Sequence, residues 1–406
     1  MVLDTLGLLS SLSYTEVLIQ FKAKALTRAE LTEEDVLQQI ELMIQAREAK
    51  EFRESDQIRL DLAAKGIALM HLGNEIIWIP CASDEISLDL PKGDVCRHGL
   101  GSDVLYQYQG FWRSAIGIES IKDFQQNFKA LGTDLIIATM PKSGSIWLKA
   151  LAFAIVNRIN YPCSNNYHQH PLLTVSPHDL VPFIDLKHFF PDHRLLDFTN
   201  TITTHDYNSP CRVIATHVPY PSLAESIKKP ATNCKIVYLC RNPQDTLISM
   251  WMFINKVRPV VNNNNSSLSI DEAFEFFYEG VSEFGPFWDH VLGYWKESSE
   301  NPQKVLFLKY EDLKKEPKIQ VKKLADFMGY SFSVDEEIHG VIEDIISLCS
   351  FEQLKNLDVN KNGYWRNHVE NKVFFRKGEV GDSKNYLTPL MVERLDRLME
   401  EKLLGS

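Results

Sequence analysis

Three clusters in this chain have the residue types and spacing to grip an anion. Pro141-Lys142-Ser143-Gly144-Ser145 joins a charge, two hydroxyls and a glycine in one short stretch. Arg241 is followed by Ser249, and Arg376-Lys377-Gly378 sets two cations beside a glycine. Guanidinium groups hold phosphate oxygens in paired bonds, lysine adds a mobile charge, and glycine lets backbone N–H groups come close. An Arg241–Asp245 ion pair is the plainer account of Arg241, but it leaves Ser249 unexplained. A fourth residue, His217, has the pKa range of a general base, although a lone histidine at a strand end is more often structural. Together these types suit the binding and transfer of a phosphate-like or sulfate-like group.

Such residues need elements to place them. Asp134-Leu-Ile-Ile-Ala-Thr139 is a β-branched run that stops at a Pro/Ser/Gly turn, and the Ala/Leu-rich stretch Ile146 to Val156 predicts a helix at once after it. Unpaired N–H groups and the positive end of the helix dipole then face the turn. In the common phosphate loop, G-x-x-x-x-G-K-[ST], the lysine follows the second glycine, whereas Lys142 precedes Gly144. That order disfavours an ordinary P-loop ATPase or kinase. Arg212-Val-Ile214 predicts a strand leading to His217. Ile236 to Leu239 reads as a buried parallel strand with Arg241 at its C-terminal end, where open α/β sheets bind ligands, and Lys304 to Leu313 repeats the pattern. The expected fold is α/β, with one parallel sheet and helices on both faces.

The wording of these segments is more specific than their periodicity. Pro141-Lys-Ser-Gly-Ser-Ile-Trp-Leu-Lys149, Thr216-His217-Val-Pro219, Arg241 through Ser249, Tyr310, and Arg376-Lys-Gly-Glu-Val-Gly-Asp382 occur in the order found in the plant type of the cytosolic sulfotransferase family, and the resemblance runs from about residue 102 to the C-terminus. It implies a P-loop-like domain that uses 3′-phosphoadenosine 5′-phosphosulfate (PAPS) as co-substrate, with no metal, to sulfate a hydroxyl of a small acceptor of flavonoid, steroid, jasmonate or desulfoglucosinolate type. By the same resemblance His217 is the base, Lys142 neutralises the bridging oxygen, and Ser249 contacts the 3′-phosphate and restrains Lys142. Ser143, Gly144, Ser145 and Ile146 surround the phosphosulfate, while Trp147, Tyr310 and Phe351 surround the adenine. Arg241, Arg376, Lys377 and Gly378 complete the 3′-phosphate site, and residues 165 to 192 help wall the acceptor pocket. Two residues depart from the family pattern: Ile146 replaces a hydroxyl-bearing threonine, and Ser383 a tryptophan. Loss of one donor to a buried anion costs about 1–3 kcal/mol. The alternative reading is therefore a catalytically weakened relative with a tRNA-binding or scaffold module at its N-terminus.

That module is residues 1–81. Thr32-Glu-Glu-Asp35 is a helix cap followed by Val36, Ile40 and Met43 at helical spacing; a second helix is expected over Ser55 to Lys65, stopping at Gly66. Ile67 to Met70 and Ile76 to Ile79 flank Gly73-Asn74 as a hairpin would. The stretches Lys24 to Asp35, Ala46 to Arg59 and Ala63 to Leu69 resemble the C-terminal region of cysteinyl-tRNA synthetases, without that family's aminoacylation motifs. This implies at most a tRNA-contacting appendage, and a passenger module is preferred because its basic and acidic residues balance. Residues 82–101 read as a linker and 102–406 as the transferase domain. Gly99-Leu-Gly101 lacks the third glycine of a dinucleotide loop, and Asp358-Val-Asn-Lys-Asn-Gly363 lacks the closing glutamate of a calcium loop.

Composition agrees with an enzyme of the cell interior. Of 406 residues 24% are charged and 44% hydrophobic, and the net charge of −11 opposes a general nucleic-acid surface. Seven scattered cysteines, an odd number without a C-x-x-C pair, fit a reducing compartment. The N-terminus has no basic n-region, and no apolar run reaches the roughly 20 residues that span a bilayer. A cytoplasmic protein without membrane contact is expected. Lys384 to Glu393 resembles a dimerisation motif of animal relatives with Pro389 in place of valine, which leaves monomer and homodimer both open.

Overall fold

The structure is a computed structural model that describes residues 14–48, 57–58, 61–62, 65–72, 75–80, 97–100, 102–163, 169–184, 211–262, 267–365 and 369–403. The chain divides into two compact units, Met1–Lys92 and Gly93–Ser406.

In the first unit helices α1 (Tyr14–Ala29) and α2 (Glu33–Glu48) precede the antiparallel hairpin β1 (Ile67–Leu72) and β2 (Glu75–Pro80). The Thr32 hydroxyl accepts from Asp35 N–H at 3.1 Å and the Asp35 carboxylate accepts from Thr32 N–H at 2.7 Å, so α2 begins in a reciprocal cap. Val36, Ile40 and Met43 are buried with Ala25, Leu62, Ile67 and Trp78, the core expected from the helical spacing. Gly66 takes a left-handed φ of 80°, as a helix-terminating residue does. Most of the second expected helix and the Gly73-Asn74 turn lie outside the described residues.

The second unit opens with β3 (Arg97–Gly99), β4 (Ser102–Tyr108) and β5 (Phe111–Arg113), an antiparallel sheet. The linker expected over 82–101 therefore ends too late, because Arg97–Gly99 is already paired to β4. Residues 82–96 of that linker lie outside the described ones. Gly99 has a packing reason: a Cβ there would collide with the Leu105 side chain and stand 2.9 Å from the Val281 carbonyl. Helix α3 (Ala115–Asn127) follows, capped by the Ser114 hydroxyl.

Four strands, β6 (Leu135–Thr139), β7 (Val213–Thr216), β8 (Lys235–Cys240) and β9 (Val305–Lys309), form a parallel sheet in the order β7-β6-β8-β9. Alternation along each strand feeds two cores. Leu135 and Ile137 of β6 and Val237 and Leu239 of β8 pack with α4 (Ser145–Asn157), while Ile136, Ala138, Ile236 and Tyr238 pack on the other face with α3. Helices cover both faces, and so all five residues of β6 are buried. Helix α5 (Pro243–Asn262) follows β8, and α6 (Ile270–Tyr278) and α7 (Phe287–Glu300) lead to β9. After β9 come α8 (Tyr310–Lys315), α9 (Pro317–Met328), α10 (Val341–Leu348) and α11 (Phe351–Asn356). The terminal helix α12 (Pro389–Leu403) begins on the proline that stands in the motif resembling a dimer contact. Asp358–Lys361 is a helical turn, not an extended loop. Most of the candidate residues line one cleft at the C-terminal ends of the parallel strands.

Candidate active site

The turn after β6 is built on two left-handed residues. Lys142 has φ 68° and Gly144 φ 103°. A Cβ on Gly144 would stand 2.8 Å from the Tyr310 ring, so glycine is required by conformation and by space. Ser143 N–H donates to the Met140 carbonyl at 3.2 Å and closes the turn. Helix α4 starts directly, and the first N–H groups of a helix have no partner within it. Ile146 lines the cleft and packs against the core; its side chain brings no donor, but its backbone N–H belongs to that first turn.

One cleft gathers Lys142, Gly144, Ser145, Ile146, Trp147, His217, Arg241, Ser249, Tyr310, Phe351, Arg376 and Gly378. Two expected residues are not on its wall. Ser143 turns its side chain inward and is fully buried, and Lys377 is drawn off by Asp382, whose Oδ1 lies 2.7 Å from Nζ. The aromatic group is compact: the Trp147 and Tyr310 rings meet edge-on at 5.5 Å, and Gly378 sits so close to Phe351 that a Cβ would approach the ring to 2.5 Å.

The donor set fits an anion. Arg241 Nη2 donates to the Glu379 carbonyl at 2.7 Å, but its Nε is buried without a hydrogen-bond partner, as is Arg376 Nε. Buried donors left unpaired by the protein are costly unless a ligand takes them. Asp245 does lie 3.6 Å from Arg241, yet its main work is elsewhere: it accepts from Gly381 N–H at 2.7 Å and Ser383 N–H at 3.0 Å. The segment that carries Arg376 and Gly378 is thereby pinned to the start of α5, and Ser383 is buried within it. Burial, with Arg376, Lys256 and Arg241 as like charges, pushes the Lys142 ammonium down to about 7. An anion among these cations reverses the electrostatic part of that shift.

Lys142 differs from expectation in one respect. Among the described residues no hydrogen bond joins it to Ser249; the ammonium lies 4.1 Å above the Phe253 ring and 5.6 Å from that of Phe374. Two aromatic faces hold the cation where a hydroxyl was expected to.

His217 follows β7 as expected. Its Nδ1 lies 2.7 Å from the Thr139 carbonyl, which can only accept, so Nδ1 carries the proton and the basic lone pair falls on Nε2. Its own carbonyl accepts from His290 Nε2 at 2.9 Å, and Tyr238 O–H donates to His290 Nδ1 at 2.9 Å. The ring lies between Phe183 and Phe284, at 4.6 and 5.4 Å. A pKa near neutral suits the expected role, but burial chiefly pushes His217 down to about 3, against the bond to Thr139 that raises it. The imidazole is therefore neutral across the physiological range.

Several cleft residues carried no local signal in the sequence. His178 and Phe183 fall in the segment expected to wall the acceptor pocket, whereas Phe253, Glu283, Phe284, Trp365 and Phe374 are scattered over distant elements. Lys149 of α4 is wholly buried with its Nζ 3.0 Å from His178 Nδ1. His170 is structural, its ring accepting from Leu172 N–H at 3.1 Å, and His188 lies outside the described residues.

Comparison with known proteins points the same way. The sulfotransferase domain family model matches residues 132–406. Cytosolic sulfotransferase 14 of Arabidopsis thaliana is 47% identical over 319 residues, covering 78% of this chain and 87% of the relative. Flavonol 4′-sulfotransferase of Flaveria chlorifolia is 45% identical over 323 residues, covering 79% and 94%. Among solved structures, an Arabidopsis thaliana sulphotransferase superposes with a TM-score of 0.59 at 35% identity, covering 79% of this chain and 94% of that one. Mouse sulfotransferase SULT7A1 complexed with PAP gives 0.53 at 26%, covering 74% and 95%.

Proposed function

Because the chain belongs to the sulfotransferase family, we propose that the cleft at the strand C-termini moves a sulfuryl group onto a hydroxyl of a small acceptor with His217 and Lys142 as its working pair. The family's co-substrate, PAPS, supplies the sulfuryl group. His217 Nε2 takes the proton of the acceptor hydroxyl as that oxygen bonds to sulfur. The Lys142 ammonium stabilises the charge that gathers on the departing bridging oxygen, and the α4 N-terminus adds fixed dipoles to the same place. Arg241 and Arg376, each with a spare buried N–H, hold the 3′-phosphate, and Ser249 supplies a hydroxyl beside them. Trp147, Tyr310 and Phe351 frame the adenine.

The observation that carries this reading is the convergence, on one cleft, of a histidine oriented through Nδ1 and three cations around a helix N-terminus. The test is transfer of labelled sulfate from PAPS to a phenolic and steroid panel. Lys142→Ala and His217→Ala are each expected to abolish it without changing the melting temperature by more than a few degrees. Activity retained in either variant removes that residue from the mechanism. Binding of adenosine 3′,5′-bisphosphate but not of ATP with Mg²⁺ separates this reading from a kinase.

The acceptors we favour are phenolic, as the flavonol sulfotransferase relative suggests, and a cytoplasmic setting is favoured because the Arabidopsis relatives are named cytosolic sulfotransferases. Among the described residues no helix is long and apolar enough to cross a membrane. The resemblance of residues 1–81 to a tRNA synthetase appendage is a separate proposal, and a gel shift of the full chain with tRNA decides it. The weakened-enzyme reading has less to stand on, because Ile146 removes only a side-chain donor and Ser383 is held at both its N–H and its hydroxyl.

A further inference from the structure

The part of the cleft around His217 is walled mainly by apolar side chains, among them Leu100, Phe183, Met250, Ile254, Phe284 and Trp365. One carboxylate interrupts that wall. Glu283 lines the cleft with its side chain 16% exposed. Its Oε1 lies 3.3 Å from Arg113 Nη1 and accepts from the Ser114 N–H at 3.3 Å and hydroxyl at 3.5 Å. Its other oxygen, Oε2, is bonded to nothing among the described residues.

Arg113 explains why a charge is held here. Its side chain is completely buried and its guanidinium lies 3.6 Å over the Phe284 ring. A buried cation needs a counter-ion, and Glu283 is that ion. Burial raises the carboxyl's pKa, while Arg113 and the two Ser114 bonds oppose the rise.

The backbone leaves Glu283 little freedom to turn away. Leu100 N–H donates to Val281 O at 2.9 Å and Glu283 N–H to Leu100 O at 2.9 Å; Phe284 N–H donates to Trp112 O at 2.8 Å and Trp112 N–H to Gly285 O at 2.9 Å. Phe284 itself has φ 68°, a conformation that an aromatic residue keeps only where its surroundings impose it. A fixed acceptor oxygen in a dry wall rewards a ligand that brings a donor, and rejects one that leaves the carboxylate desolvated and unpaired.

We propose that Glu283 is a specificity-determining residue that selects acceptors bearing a second hydroxyl besides the one sulfated, with that second hydroxyl donating to Oε2. The inference rests on the transfer reading above, since it places the acceptor beside His217.

The test separates binding from turnover. A polyhydroxylated flavonol and its mono-O-methyl ethers are titrated into the full chain with adenosine 3′,5′-bisphosphate present, and the same compounds are assayed for sulfation with PAPS. One ether is expected to bind about tenfold to hundredfold more weakly than its parent. Glu283→Leu should flatten that ratio to within about threefold. Because the single variant removes the carboxylate that faces the buried Arg113, the double variant Arg113→Met/Glu283→Leu, which removes both charges, is measured alongside to keep the test independent of any folding defect in the single variant. An ether penalty in a folded variant equal to that of the natural chain overturns the assignment, as does equal binding of every ether to the natural chain. Discrimination without any transfer refutes the reaction while upholding the subsite; transfer without discrimination does the reverse.

Discussion

Replacing Lys142 by methionine tests the electrostatics of the cradle most directly. Burial and three neighbouring cations place the ammonium at about 7, so above that pH the lysine is mostly neutral. A bound bisphosphate stabilises the charged form and draws a proton from solvent. At pH 8 a group with a pKa of 7 is about one-tenth protonated, so binding should take up about 0.9 proton at this site, and at pH 6 about 0.1. The sign follows: affinity for adenosine 3′,5′-bisphosphate is highest below pH 7 and weakens by up to about tenfold per pH unit above it, until the pKa of the bound state is reached. Calorimetry in buffers of different ionisation enthalpy reads the uptake directly. In Lys142→Met the component rising between pH 6 and pH 8 should vanish, while any contribution from the ligand's own phosphates remains. Uptake at pH 8 that is the same in the natural chain and in Lys142→Met would show that Lys142 is already charged in the free protein, and the argument from burial and like charge would be wrong.

Three further outcomes follow from the same geometry. Ile146→Thr restores a hydroxyl at the first turn of α4 and should tighten bisphosphate binding by up to about fivefold, roughly 1 kcal/mol, read by titration. Gly378→Ala forces a left-handed alanine against the Phe351 ring; it should weaken that binding at least about tenfold, since the conformation alone costs about 1–2 kcal/mol, and unchanged affinity would show that the segment does not close on the ligand. His217→Gln should lower kcat by about a hundredfold or more with bisphosphate affinity within about twofold, because the ring acts on the acceptor proton and not on the nucleotide.

The parallel sheet and the anion cradle were legible because each rests on contiguous residues. β6, β8 and β9 each carry at least four consecutive apolar residues, and Lys142 to Ser145 sits where a strand stops and a helix starts. The order β7-β6-β8-β9 was not, since strand neighbours are chosen by packing between segments far apart in the chain. Arg97–Gly99 reads as linker because a three-residue strand containing glycine has no periodicity to detect. Lys377 belongs to the site by the Arg-Lys-Gly motif, but Asp382, also in the motif, captures it. His217 was expected near neutral because its depth behind Phe183 and Phe284 is a tertiary property. Glu283 left no trace for the same reason: its meaning depends on Arg113, far away in sequence.

The tether between His217 and Thr139 has an evolutionary side. Ala138 pairs with Thr216 in the parallel ladder, so the residues that follow this pair, Thr139 at the end of β6 and His217 just past β7, are brought side by side. The base and the loop that begins beyond Thr139 are therefore spaced by the sheet, whose strands lie about 4.8 Å apart whatever surrounds them. Apart from Phe183, which is bridged to Ala215 of β7, the walls that meet the acceptor come from loops and helices outside this ladder. Changes of substrate can accumulate in those walls while the distance between proton acceptor and leaving-group cation is inherited intact, and one catalytic frame can thus serve a family of diverging specificities.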